Sequence, residues 1–463
     1  MKKHLSRFLL VSTCVLSASL SAFPQKESLD TIRTRGLAIL AEVKTAVEEK
    51  YYDPGFHGID LEKNYKAARE DIKKAERNGH VNSIIAQFLL DFNDSHLFFL
   101  PPDRAVSVDY GFRMKMVGND CFISAVKKGS DAEKQGVKLG DQVYSLETFE
   151  PTRESLWKLQ YFYNALSPQP KIRLALINPD GKTLRELTLD AVIKTEKEQR
   201  KEFKEKQKKD EEKDKDKPKD EKKLEGFGYK CAEADADAMV CQLRTFSTPE
   251  KEIDNMMEMV GQHKSLILDL RNNGGGYVRT MKRLVGYFFD HQVKVGTEKM
   301  RRTSKEEIAD SVGSKIFGGK LVVLIDSNSG SASEVFSRVM QLEKRATIVG
   351  DRSAGAVMTS VRGLNAYQRL TAADQKETLN IYGLSITIAD LIMSDGKSLE
   401  TVGVQPDIPA LPSGDDVRSK RDVAMAKAAQ FLGVSLDAER AGKLFLSEEE
   451  KTEVSGDDNA DEK

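Results

Sequence analysis

Between residues 28 and 98 apolar side chains recur at three- and four-residue spacing, as at Ile32, Leu37, Leu40, Val43 and Val47. That is the period of a helix with one buried face, and a second such run covers residues 84–92. Near Val108 the pattern changes to short β-rich runs. Phe112-Arg-Met-Lys-Met-Val, Cys121-Phe-Ile-Ser-Ala-Val and Gln142-Val-Tyr-Ser-Leu read as strands, with turns at Gly118-Asn119 and Gly129-Ser130. The runs at 172–177 and 184–192 form a hairpin across Pro179-Asp180-Gly181. From 227 to 412 strands and helices alternate. Ser265-Leu-Ile-Leu-Asp-Leu and Leu321-Val-Val-Leu-Ile are continuous apolar runs, as strands buried on both faces are. Helices are expected at 278–289 and 333–341, and one more after Val417.

At 463 residues the chain is long enough for two or three domains. With 39% hydrophobic and 31% charged residues it is a globular composition. A formal charge of -1 gives no reason to expect nucleic acid or an acidic membrane as partner. The charge is unevenly placed: residues 194–225 are almost entirely Lys, Glu, Asp, Arg and Gln, with too little apolar surface to bury. This segment reads as a charged flexible insertion, with a partner-binding arm as the alternative. Residues 1–22 read as a signal peptide: Lys2, Lys3 and Arg7 precede a short apolar stretch, and Ser19, Ser21 and Ala22 offer a cleavage site. The stretch is short of the ~20 residues of a membrane span, so a periplasmic protein is expected, or else a secreted one. Cys231 and Cys241 flank a polar run as two strands of a hairpin would. They are either a disulfide, permitted outside the cytosol, or two buried thiols. Cys121 reads as a small core residue.

Two segments carry the candidate chemistry. Asp269-Leu-Arg-Asn-Asn-Gly-Gly-Gly276 and Asp326-Ser-Asn-Ser-Gly-Ser-Ala-Ser-Glu334 each follow a buried strand and lead into a helix. Glycines let the backbone approach a ligand and present free N–H groups. A serine at the mouth of a helix sits among orphan amides in a positive field. Such a serine beside a glycine-lined turn has the parts of an oxyanion hole. No His-Glu-x-x-His, paired Cys-x-x-Cys or phosphate-binding loop is present, and no metal or cofactor is implied.

In this order the two segments resemble the C-terminal processing (tail-specific) serine peptidases. The resemblance continues through Ala346-Thr-Ile-Val-Gly-Asp-Arg-Ser-Ala-Gly355, Leu399-Glu-Thr-Val-Gly-Val-Gln-Pro-Asp-Ile408 and, upstream, Asp94-Ser-His-Leu-Phe-Phe. Gly129-Ser-Asp-Ala-Glu-Lys-Gln-Gly-Val-Lys-Leu-Gly-Asp141 is similar to a stretch of PDZ domains. The resemblance implies a multidomain α/β protein: a helical N-terminal domain at 26–104, a PDZ-like β-rich domain at 107–193, a crotonase-like α/β (ββα) protease core at 226–412, and a C-terminal helix with an acidic tail at 413–463. It implies Ser331 as nucleophile, with oxyanion donors among Gly275, Gly276 and Ala332. It also implies that Gly111, Phe112, Arg113 and Met114 form the PDZ loop for the terminal carboxylate of a protein or peptide substrate. Many bacterial members use a Lys as base in the turn after the nucleophile helix, where this chain has Ala356. The tricorn-core-like branch uses His with a Glu orienter, which points to His96 and Glu400, with Asp390 as fallback orienter and a Lys such as Lys344 as the alternative base. A catalytically silent peptide- or ligand-binding protein on the same fold is the other reading, and oligomeric state is left open.

Overall fold

The computed structural model describes residues 28–445 apart from 103–105, 179–180, 196, 203, 206–207, 209–224 and 368–379. The candidate signal segment, most of the charged insertion, the tip of the 179–181 turn and the acidic tail therefore lie outside the described residues. The chain opens with helices α1 (Leu29–Lys50), α2 (Leu61–Lys74) and α3 (Asn78–Leu90). Ser28 Oγ and the Asp60 carboxylate accept the amides of Thr31 and Lys63, supplying partners to orphan N–H groups at the first two helix starts. Leu40, Val43 and Val47 of α1 meet Ile72 of α2 and Ile85 and Leu89 of α3 in one core. α3 starts ahead of the expected run at 84–92 because Val81 is buried with that run. Strand β1 (Phe98–Leu100) follows.

A β-rich unit comes next. β2 (Val106–Asp109) pairs with β8 (Val192–Thr195), while β3 (Phe112–Val117), β4 (Asp120–Val126), β5 (Gln142–Leu146), β6 (Lys171–Ile177) and β7 (Leu184–Asp190) form an antiparallel sheet in that order. A short helix α4 (Asp131–Lys134) and α5 (Leu156–Tyr161) accompany it. Met114, Ile123, Val143, Ile172 and Leu174 close its core against Leu156 and Leu159. Cys121 is buried there, and burial pushes its thiol up to about 12.

The main sheet has seven strands in the order β19-β16-β15-β12-β11-β10-β9. They are β9 (Glu225–Gly226), β10 (Tyr229–Asp235), β11 (Ala238–Leu243), β12 (Ser265–Asp269), β15 (Lys320–Ile325), β16 (Thr347–Gly350) and β19 (Ile408–Pro409). β11 through β19 run parallel. The continuous apolar runs have their cause here, because both faces are covered. Leu266 and Leu268 face a core that includes Ile253 of α6 (Glu250–Val260), Leu284 of α7 (Val278–Gly286) and Phe336 of α8 (Ala332–Leu342). Ile267 and Val322 face α10 (Val423–Leu432) through Met425 and Ala428. Where one helix was expected after Val417 the described residues hold two, α10 and α11 (Ala438–Lys443), preceded by the short α9 (Gly414–Arg418). Ser413, Asp422 and Asp437 each accept an amide at a helix start, and Gly433 leaves α10 with a φ of 79°, so local capping divides the segment.

Cys231 and Cys241 sit directly opposite on β10 and β11 and are disulfide-bonded. Of the two readings of this pair, the structure adopts the disulfide.

A second sheet is built around β18 (Asn380–Met393), which pairs with β1, with β17 (Met358–Tyr367) and with β13 (Val293–Met300); β14 (Ser304–Ala309) completes it. Tyr382, Leu384 and Ile386 of β18 enter the core of the N-terminal helices. The helical region is therefore joined to the main body through apolar packing.

Arg271 clamps the turn after β12 to the start of α10. Its guanidinium donates to both oxygens of buried Asp269 and to both oxygens of Asp422, which itself caps Met425. Arg271→Met would leave two carboxylates without their cation. Urea denaturation should show a loss of about 3–5 kcal/mol, the usual cost of breaking a buried charge cluster from one side.

Candidate active site

Two loops meet at the ends of adjacent parallel strands β12 and β15. Asn272 N–H donates to Asp326 Oδ1 (3.0 Å), Ser329 Oγ to Leu270 O (2.8 Å), Gly330 N–H to Asn273 O (3.0 Å) and Ser333 Oγ to the same carbonyl (2.8 Å). Asn273 is fully buried and turns its side chain back on the loop, with Nδ2 donating to Leu243 O and Oδ1 accepting Gly275 N–H. The Gly275 amide is therefore engaged within the turn. Gly275 also has a steric role, because a Cβ there would stand 2.6 Å from Ser331 Cβ.

Ser331 stands between the second loop and α8 with φ 52° and ψ −119°, a conformation that costs a non-glycine residue about 1–3 kcal/mol. Its N–H donates to Ala356 O (2.9 Å) and to Glu334 Oε2 (3.0 Å). Among the described residues the amides of Gly276 and Ala332 meet no acceptor. A small pocket of about 30 Å³ opens beside Ser331, lined mainly by apolar side chains such as Val278, Val335, Val357, Met358 and Leu391, with Glu298, Glu307 and Thr359 also on its wall.

Glu400 and His96, far apart in sequence, are brought together with a residue that sequence reasoning missed. Glu400 Oε1 accepts Ser95 N–H (2.8 Å), and its Oε2 accepts Ser95 Oγ (3.0 Å) and Val357 N–H (2.7 Å). Ser95 Oγ lies 2.8 Å from His96 Nδ1. The carboxylate thus reaches the imidazole through a hydroxyl; it does not touch the ring. The signal was the serine immediately before the histidine in Asp94-Ser-His. Asp94, itself buried, holds this segment: its Oδ1 accepts the amides of His96 and Leu97 and the Thr387 hydroxyl, and its Oδ2 accepts Tyr51 O–H. Burial lowers the His96 pKa, opposed by the charge of Asp94 and assisted by Arg362. Burial pushes the Glu400 carboxyl up to about 7, against the hydrogen bonds from Ser95 and Val357.

The other candidates fall elsewhere. Asp390 Oδ1 accepts Ser398 Oγ and makes no contact with His96. Lys344 is exposed, just past the end of α8. Gly111, Phe112, Arg113 and Met114 lie at the start of β3 in the β-rich unit, where Gly111 has a φ of 79° and donates to Asp109. That unit is docked on the loops that follow β15 and β16. Lys115 pairs with Asp326, Arg153 with Asp351, and Ser327 Oγ donates to Met116 O (2.6 Å). A cleft of about 320 Å³ runs along this junction, lined among others by Ser95, Glu400, Ala356, Asn328 and Trp157.

Residues 238–410 match the family model described as Peptidase family S41. The chain is 26% identical over 200 residues to the "Probable CtpA-like serine protease" of Staphylococcus haemolyticus, covering 40% of each chain. It is 28% identical over 170 residues to the carboxy-terminal-processing protease of Bartonella bacilliformis, 36% of each. The chain thus spans 40% and 36% of the lengths of these two relatives. A longer match, 23% identical over 407 residues, covers 81% of this chain and 77% of the chloroplastic C-terminal processing peptidase of Tetradesmus obliquus. Among solved structures, mature CPAF complexed with lactacystin superposes with a TM-score of 0.60 at 14% identity, covering 89% of this chain and 99% of that one, a likeness of fold.

A carboxyl whose pKa is raised on folding holds a proton in the folded state at pH values where the unfolded chain has lost it. Its contribution is fully present below the ordinary carboxylate range and is lost as pH rises through about 7. Glu400→Gln should therefore flatten the fall of the thermal midpoint between pH 5 and pH 8 relative to wild type, as read by differential scanning calorimetry.

Proposed function

On the premise that residues 238–410 carry a Peptidase family S41 domain, we propose that the chain is a serine endopeptidase acting through an acyl-enzyme on Ser331. The observation that carries this reading is the chain of contacts His96–Ser95–Glu400. It ends on the same turn, 355–357, whose Ala356 carbonyl accepts the Ser331 amide. Ser95 Oγ gives its proton to Glu400 and so must accept one from His96 Nδ1. That fixes the tautomer and leaves Nε2 with a lone pair. The lowered pKa of His96 keeps the ring neutral near pH 7, the form a base requires.

Ser331 Oγ attacks the scissile carbonyl while His96 Nε2 takes its proton, and the imidazolium is held by Ser95 with Glu400 behind it. The oxyanion faces the Ala332 and Gly276 amides, both without an intramolecular acceptor. Gly275, its own amide engaged by Asn273, contributes closeness of approach. The proton then passes to the leaving amine, and water hydrolyses the ester. The pocket beside Ser331 has room for a small apolar side chain at the residue before the cut. Retention of Ser331, His96 and Glu400 leaves the silent binding-protein alternative without support.

The β-rich unit is read as PDZ-like, with the outer edge of β3 adding a substrate strand near Gly111, Phe112, Arg113 and Met114. On that edge the Met114 and Met116 carbonyls already accept Gln160 Nε2 and Ser327 Oγ, so an added peptide displaces these two donors. Export is supported by the disulfide between Cys231 and Cys241 and by the basic and apolar N-terminal segment. No described helix is long and apolar enough to cross a membrane.

Casein hydrolysis by the purified protein should vanish in Ser331→Ala and fall by about 10⁶-fold in His96→Ala; full activity in either variant overturns the assignment. Ser95→Ala, which removes the link but keeps the base, should lower kcat by about 10–100-fold. In a peptide series varied only at the residue before the cut, Ala and Val should give higher kcat/KM than Phe, Arg or Glu, and a preference for the large residues would refute the pocket.

A further inference from the structure

Glu334 lies on the first turn of α8, three residues after Ser331, and is fully buried. Its carboxylate accepts four hydrogen bonds. Oε1 takes Ser353 Oγ (2.6 Å) and Gly355 N–H (2.7 Å); Oε2 takes Ala356 N–H (2.9 Å) and Ser331 N–H (3.0 Å). Every one of these donors belongs to the nucleophile or to the turn at 353–356, and no cation contacts the carboxylate among the described residues. On the next residue of that turn, Val357 N–H goes to Glu400. Three consecutive amides, at 355, 356 and 357, are thus clasped between two carboxylates, one holding the nucleophile and the other holding Ser95 and His96. Glu334 takes no part in the proton transfers between Ser331, His96 and the substrate.

Resting on the serine peptidase reading, we propose that Glu334 is a positioning residue: its ionised carboxylate holds Ser331 in its strained conformation and in register with the Glu400–Ser95–His96 group, and its protonation releases the nucleophile. The chemistry allows no neutral substitute. A carboxylic acid or a carboxamide presents a donor on one side, and on either side that donor meets a backbone N–H, Gly355 on one and Ala356 with Ser331 on the other. A protonated Glu334 therefore faces one donor with another and must turn away from part of the turn. Burial, opposed by the four hydrogen bonds, pushes this carboxyl up to about 7. The switch then lies in the range where Glu400 also titrates. The charged groups on the elements packed around it are otherwise committed. Glu400 holds Val357 and Ser95; Asp351, at the head of the turn, pairs with Arg153; and Glu307, across the small pocket, pairs with Lys282 and Lys305. Glu298, lining the same pocket, accepts the Thr359 hydroxyl, and Arg338 on the same helix pairs with Asp395.

The sign follows from the geometry. Activity requires the ionised form, so it is lost as pH falls through about 7. Removing a donor destabilises the carboxylate and moves that limb upward. Ser353→Ala deletes the hydroxyl that donates to Oε1, and the acid midpoint of kcat should rise by about one pH unit, the scale of one charge-assisted hydrogen bond. A purely structural role for Ser353 would lower the plateau or the thermal midpoint and leave the pH midpoint in place. Glu334→Gln should lower kcat by about 10²-fold at pH 8 with KM within about twofold, the pattern of a lost transition-state geometry. It should slow labelling of Ser331 by a fluorophosphonate in parallel, and remove one proton from the acid limb. If Glu334→Gln does not fold, the Ser353→Ala pH profile alone decides. An active enzyme whose acid midpoint is unmoved in Ser353→Ala, or a Glu334→Gln protein with wild-type kcat, overturns the inference while leaving the peptidase assignment intact. A wild-type protein that neither hydrolyses peptides nor reacts with the fluorophosphonate at any pH overturns the assignment and the inference with it.

Discussion

Anionic side chains in this protein are buried against backbone amides, and the geometry around Ser331 depends on that exchange. The turn at 355–357 offers three consecutive N–H groups. Glu334 takes two and Glu400 the third. Each carboxylate then reaches in the opposite direction, one to the Ser331 amide and the other to Ser95 and through it to His96. Burial raises both carboxyls toward neutrality. The assembled site is therefore held near the edge of the pH range in which its own parts stay charged, a common consequence of organising chemistry with desolvated groups.

The imidazole comes from outside the family-matched segment. His96 and Ser95 follow the helical region, and Asp94 fixes their backbone by accepting two successive amides. Tyr51, just past the first helix, and Thr387 of β18 fill the remaining acceptor sites of Asp94. Packing of Tyr382, Leu384 and Ile386 into the helical core delivers the whole segment to the sheet. His96 on one folding unit and the turn at 355–357 on another are joined through Ser95 and Glu400 only when the apolar surface between the units is buried.

A third element leans on the same loops. The β-rich unit contacts Asp326, Ser327 and Asp351 through Lys115, Met116 and Arg153, and Arg418 of α9 reaches back to Asp141 on its other side. Asp326 also accepts the Asn272 amide. The edge of β3 and the loop that carries Ser331 therefore share a boundary, and the cleft of about 320 Å³ lies along it.

By itself the sequence determined the elements whose signals are local. Continuous apolar runs gave away the buried strands at 265–269 and 320–325, because a parallel sheet covered on both faces leaves no polar alternation to confuse them. The helices around Val43 and Phe336 followed from their period. The glycine turn and the serine at the mouth of a helix were visible as backbone chemistry. Tertiary structure decided the remainder. Cys231 and Cys241 could be read as thiols or a disulfide until the register of β10 and β11 set them opposite each other. Ser95 looked like any serine, since nothing in a neighbour's identity says which way its hydroxyl points. Glu334 had a legible local role, the Ser-x-x-Glu spacing of a helix start. Its bonds to Ser353, Gly355 and Ala356 belong to a turn that sequence distance separates from it. Periodicity and caps are written in nearest neighbours, whereas a catalytic group is closed by hydrogen bonds between segments that only the packed core brings within 3 Å of one another.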